Sequence, residues 1–169
     1  MMDRIRKNGG YAAGTRVLCA DGPIPAEFIE IGDRVITRDA GIARVTNISR
    51  RTLRTNFIRF KPYALDETGP TSDLVLPQDQ TILVRNWRAR EAFGVDCALV
   101  EAALLVDNLF IEMTEPREEV LFQISFASPH ILYLEGIEVG SADATPARGT
   151  RTHAEKISKS LSSILLSGR

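Results

Sequence analysis

Apolar and polar residues alternate one for one along most of this chain, the period of a half-buried strand rather than of a helix. Thr15, Val17 and Cys19 alternate with Arg16 and Leu18, and Asp21-Gly22-Pro23 then breaks the strand with a turn. The glycine there can take the positive φ such a turn needs. Pro25 to Ile31 leads into a second turn at Gly32-Asp33, and Val35-Ile36-Thr37 restarts a strand rich in β-branched side chains. Residues 43–49 alternate again and 52–61 continue in extended style. Residues 62–73, with Gly69-Pro70 and several polar side chains, form a loop. The run from Leu74 to Val84 makes two apolar strands about Pro77, which cannot donate to a ladder and belongs at an edge or bulge. After Trp87, expected to close an edge of the core, Phe93-Gly94-Val95 turns into a strand at Cys97. Val120, Phe122, Ile124 and Phe126 share one strand face, with Gln123 and Ser125 on the other, and His130 to Gly136 is a further strand.

Helical signals are few. Glu101 to Asp107 has helical composition for one or two turns. Residues 141–150 are small and polar and read as a linker. Thr152 and Glu155 then have the spacing of a capping box, and Ile157, Leu161, Ile164 and Leu165 follow as one apolar stripe. The pattern predicts an all-β chain with one C-terminal amphipathic helix: a flexible lead over 1–9, a β domain over 10–141, and a linker and helix over 142–169. That helix either docks on the β core or engages a protein partner.

Composition narrows the function classes. The 169 residues are 44% hydrophobic and 25% charged, with a formal net charge of -1. Such a chain buries a sizeable single core and has no overall nucleic-acid footprint. Arg50, Arg51, Arg54, Arg59 and Lys61 crowd one ribbon, read as its solvated face, with an acidic partner as the alternative. Two cysteines and two distant histidines make neither a disulfide framework nor a metal site, so no cofactor or metal is expected. Cys19 and Cys97 both read as small buried hydrophobes. No apolar run reaches the length of a membrane span, and no secretory signal opens the chain. The cytoplasm is the default location, with signal-independent export left open.

The stretch from Gly14 to Gly41 organises the rest. Its order of Gly14-Thr15, Asp21-Gly22, Gly32-Asp33-Arg34-Val35, Thr37-Arg38-Asp39 and Gly41 resembles the opening of a Hedgehog/intein (Hint) domain of the bacterial type. In that family a Cys just before the Gly-Thr pair attacks the peptide carbonyl preceding it; the matching position here is Gly10. Leu74 to Asp79 is similar to the family's second block, where Ser or Thr stands three positions before a His that polarises the scissile peptide. Those positions are Leu76 and Asp79. Residues 98–107 resemble the later strand and helical turn. Val120 to Gly136 resembles the closing block, in which His130 matches a family His. Splicing relatives end on a His-Asn pair, at Gly140 and Ser141 here.

The resemblance implies a horseshoe of long bent strands with pseudo-two-fold halves, in which Gly10, Leu76, Asp79 and His130 converge. Asp79 and His130 could then form a charge-assisted hydrogen bond. An acyl shift needs a thiol at the scissile bond and an acid for its nitrogen. Gly10 supplies no thiol, and an ionised Asp79 is a poor acid. The catalytic pair implied by resemblance, His130 and Asp79, is thus vestigial, and only nine residues stand before Gly10 as cargo. The expected function is a degenerate Hint domain acting as a binding or scaffold module. The alternatives are a self-cleaving domain with non-standard residues, and a β domain that binds an acidic partner through its basic ribbon.

Overall fold

The fifteen-residue β10 (Ile111–Ser125) pairs antiparallel with the fourteen-residue β6 (Asn47–Phe60), with a register shift between Met113 and Pro116, making the longest ribbon among the described residues. The computed structural model describes residues 8–85 and 87–146. The C-terminal helix expected from the sequence lies outside the described residues, as does the side chain of Trp87.

The ribbon carries two edge strands, β1 (Tyr11–Ala12) on β10 and β7 (Leu74–Pro77) on β6, giving the order β1-β10-β6-β7. A second sheet contains β2 (Arg16–Cys19), β3 (Gly22–Pro25), β4 (Arg34–Thr37), β8 (Thr81–Arg85), β9 (Cys97–Glu101), β11 (Ile131–Leu134) and β12 (Ile137–Gly140). Its order is β3-β2-β4-β11-β12-β8-β9, and β5 (Gly41–Arg44) pairs β4 beside it. The protein is all-β, with one seven-residue helix, α1 (Trp87–Phe93), among the described residues.

Alternation places the core as expected along most strands. Val17 and Cys19 are buried while Arg16 faces out, and Val35 is buried between Arg34 and Ile36. Pro23 and Pro25 are accommodated because β3 is an edge strand. The residues read as one alternating strand over 43–49 are divided: β5 ends at Arg44, and β6 begins at Asn47. The run from Glu101 to Asp107 makes only a 3₁₀ turn, Ala102–Leu105, while Glu101 itself closes β9.

In β10 the one-sided pattern fails. Gln123 and Ser125 are buried along with Ile124: Gln123 lies against Gly9 and Gly10, and the Ala142 N–H donates to the Ile124 carbonyl as the chain leaves β12. Val120, expected inside, is 44% exposed where the ribbon projects beyond the core.

The arginine-rich face of β6 is largely answered within the ribbon. Arg54 stands opposite Glu118 and Arg59 opposite Glu112. Lys61 pairs with Glu112 at 3.0 Å, and Arg50 lies over the Phe122 ring. No helix among the described residues is long and apolar enough to cross a membrane.

Candidate functional site

Pairing of Tyr11 with Phe122 and of Ala12 with Leu121 carries the N-terminal segment across the end of the ribbon. Gly10 therefore sits where three chain ends meet: β1 entering, β8 starting and β12 finishing. Gln80, 2% exposed, ties the three together. Its Oε1 accepts the Gly10 N–H at 3.0 Å, and its Nε2 donates to the Gly140 carbonyl at 3.0 Å and to the Thr81 carbonyl at 2.9 Å. The Tyr11 hydroxyl also donates to the Gly140 carbonyl. A buried primary amide has two donor hydrogens and an acceptor oxygen, and all three functions are used here.

The Gly9 carbonyl points the other way. It accepts from Arg51 Nη1 at 3.3 Å and from Gln123 Nε2 at 3.2 Å. The same Arg51 nitrogen donates to Asp79 Oδ2 at 2.8 Å, so one guanidinium bridges the Gly9–Gly10 peptide and the second-block carboxylate. Gln123 is held in turn by the Ser49 hydroxyl on its Oε1. Asp79 Oδ1 is buried with no hydrogen-bond partner among the described residues. The carboxyl of Glu101 is raised above its ordinary range by burial and by the charge of Asp79.

At Gly10 itself there is no room for a side chain. Its φ is +124°, and a Cβ there would lie 2.9 Å from the Leu121 Cβ and 3.3 Å from the Gln123 Cγ. The conformation suits glycine and strains any other residue.

His130 belongs to a neighbouring cluster. Its Nδ1 is 2.8 Å from Asp39 Oδ2, and Asp39 Oδ1 accepts the Ile131 N–H at 2.9 Å. Burial would push the Asp39 carboxyl up, but the Ile131 N–H and the His130 ring hold it below its ordinary range. The His130 backbone N–H donates to Ser141 Oγ at 3.1 Å, and the Ser141 N–H donates to the His130 carbonyl at 2.9 Å. The Ser141 hydroxyl donates to Asp143 Oδ1 at 2.6 Å.

The structure thus brings Gly10 and Asp79 into one hydrogen-bonded group through Arg51 and Gly9. His130 is joined to that group along the backbone, through Ser141 to Gly140. The expected pairing of Asp79 with His130 is not formed: Asp79 is taken by Arg51, and His130 by Asp39. Leu76 is buried in the apolar core, opposite Ile58.

The residues that organise the centre, Gln80, Arg51, Gln123 and Asp39, carry no sequence signal that singles them out for it. Their partners lie far along the chain, and Arg51 is one of several arginines on the same ribbon. Among the described residues, no three His, Cys, Asp or Glu side chains gather to hold a metal ion.

The cysteines differ from each other. Cys19 is 2% exposed, and its thiol is pushed up to about 11 by burial first and then by Asp33 and Asp21. Cys97, expected to be buried, is exposed instead, because it opens the edge strand β9 on the outward face. Cys19→Ala should lower stability by roughly 1 kcal/mol, as removal of a small buried group does, while Cys97→Ala should leave it unchanged. Urea denaturation of the two variants checks this.

A family model described as the Hint domain matches residues 9–145. No curated protein sequence matches the chain. Among solved structures, the DnaB intein from Synechocystis sp. PCC 6803 is similar at 9% identity and a TM-score of 0.54, over 79% of this chain and 99% of that one. The Ssp DnaB mini-intein variant M86 is similar at 10% identity and a TM-score of 0.56, over 83% and 99%. A bacterial intein-like domain from Clostridium thermocellum is similar at 19% identity and a TM-score of 0.50, over 79% and 97%. Likeness at these identities concerns the fold alone.

Proposed function

Because this chain belongs to the Hint domain family, we propose that it is a Hint domain that does not cleave itself and serves as a binding or scaffold module. One observation carries the reading. The backbone of Gly10, at the position where the family's nucleophile is expected, has a φ of +124° and its Cβ direction is blocked by Leu121. The site has not merely lost a side chain; its backbone has settled into a form that excludes one. Cys19 is no substitute, since a buried thiol with a raised pKa holds almost no thiolate at neutral pH.

The surrounding groups serve anchoring better than cleavage. Departure of an amide nitrogen needs a proton delivered to it. The Gly10 nitrogen is instead a donor, and its partner Gln80 Oε1 has no proton to give. His130 and Asp79, proposed here as the vestigial pair, are engaged by Asp39 and Arg51.

A second reading has one observation in its favour. The Gly9 carbonyl receives two N–H donors, as a peptide polarised for attack would. On that reading a water or an external thiol supplies the nucleophile.

A reporter fused ahead of residue 8 separates the two when its intact mass is followed over days. The fusion should stay whole with and without added thiol. Release of the reporter between Gly9 and Gly10 would overturn the non-cleaving reading.

A further inference from the structure

A strand at the edge of a sheet offers a row of unpaired N–H and C=O groups, and most edges of these two sheets are blunted. β3 carries Pro23 and Pro25, and β1 has only two residues. β7 is four residues closed by Pro77, and β5 is four residues from Gly41 to Arg44. Where the long ribbon projects past its edge strands, Arg50 and Arg54 guard β6, and Pro116, Glu118 and Glu119 guard β10.

Among the described strands β9 is the exception. Cys97-Ala98-Leu99-Val100-Glu101 runs for five residues with no proline, glycine, lysine or arginine. Each of the five pairs with β8 on one side, and β9 ends the order of its sheet. Among the described residues, no further backbone bond reaches 97–101. The helix α1 turns Ala89 and Phe93 inward against the core, and Val95 and Cys97 beyond it stay exposed.

What such an edge accepts follows from its own residues. Ala98 and Val100 face the core, while Cys97, Leu99 and Glu101 alternate with them on the outward face. A second β9 laid antiparallel about Leu99 pairs all five residues: Leu99 with its own copy, Ala98 with Val100, and Cys97 with Glu101. The rows then continue across both sheets without a mismatch. Outward, Leu83 and Leu99 of one copy meet Leu99 and Leu83 of the other. Inward, Ile82 and Val100 meet Ala98 and Val84. A shift of two residues would set Leu99 against Glu101 or Cys97 and leave two residues of each strand unpaired. About Leu99 the two Glu101 carboxylates also stay at opposite ends, roughly 13 Å apart along the strand.

We propose that the β9 edge is a homodimer interface, in which the strands of two copies pair antiparallel about Leu99 and join their second sheets into one. The partner is a second copy of this chain. The contact does not depend on whether the centre at Gly10 cleaves.

Sedimentation of the full chain in reductant tests this and should show a dimer that dissociates on dilution. Leu99→Lys sets two ammonium groups directly opposite each other across the two-fold, and should weaken the dimer about tenfold or more. Val120→Lys, a charge added to an exposed position on the other sheet, should leave it unchanged. Circular dichroism confirms that each variant is folded.

Cross-linking reads the register separately. In a Cys97→Ala background, Leu99→Cys places two thiols opposite each other, with Cα atoms roughly 5 Å apart, a span a disulfide bridges. Oxidised glutathione should link that variant into a covalent dimer. In the wild type, Cys97 faces Glu101 and lies roughly 13 Å from its copy, so it should link about tenfold or more slowly. Cys19 does not interfere, because it is buried.

Three results would overturn the proposal. One is a wild type that stays monomeric up to the limit of its solubility. Another is a dimer indifferent to Leu99→Lys, which would place the interface elsewhere. The third is cross-linking at residue 99 no faster than at residue 97, which would exclude pairing about Leu99.

Discussion

Gln80→Leu should lower the stability of this protein by about 3 kcal/mol, roughly 1 kcal/mol for each hydrogen bond lost by a buried group. Leucine nearly matches glutamine in volume, so little of this loss would come from a cavity. What remains are the Gly10 N–H and the Thr81 carbonyl without this partner, and a Gly140 carbonyl left with the Tyr11 hydroxyl alone of its two side-chain donors. Two of them lie at opposite ends of the domain in sequence, and among the described residues no other side chain bonds both. Urea denaturation measures the effect, and amide exchange at Gly10 locates it. A loss well under 1 kcal/mol would show that the three chain ends hold together without this tether.

Gly10→Cys is the more instructive substitution, because it returns the thiol that the family's chemistry uses. It should destabilise by about 2–6 kcal/mol: roughly 1–3 kcal/mol for a non-glycine residue held at positive φ and a similar amount for overpacking against Leu121. Adding Leu76→Thr and Asp79→His should produce no thiol-dependent cleavage. The new hydroxyl at 76 would be buried in the apolar core, and removing the Asp79 carboxylate would release Arg51 from its partner. Intact mass with and without thiol, alongside the thermal transition, reads both consequences. Efficient cleavage by the triple variant would mean that the backbone at Gly10 readjusts at little cost.

Much of the fold is legible because a two-residue period is a property of each strand alone. Val17 and Cys19, Val35, and the strand Ile131–Leu134 within the expected 130–136 can be placed without knowing what they pack against. The errors have a common origin in neighbours. Gln123 and Ser125 read as an outward face, yet both are buried, Gln123 against Gly9 and Gly10, a segment with no pattern to announce it. Pro23 and Pro25 make β3 look like a connection, since only its edge position makes prolines tolerable. The positions Gly10 and Asp79 are found by resemblance and do lie together. The groups that give the centre its character are not, because a glutamine or an arginine carries no local mark of a partner 70 or 28 residues away.

The long ribbon has a kinetic consequence. Phe60 pairs with Ile111, and everything between them, including β7, β8, α1 and β9, forms the shortest loop that the ribbon encloses. Pairs farther along the ribbon, out to Asn47 with Ser125, enclose longer loops, but each doubling of length adds only about 0.6 kcal/mol of closure entropy. Once Phe60 meets Ile111, the rest can zip at little further cost. The buried pair Phe60 and Ile111 is then where a destabilising substitution slows folding, whereas the far end of the ribbon governs how fast the native state opens. The centre around Gly10 lies towards that far end, so Gln80→Leu should speed unfolding more than it slows folding, which the two arms of a chevron would show.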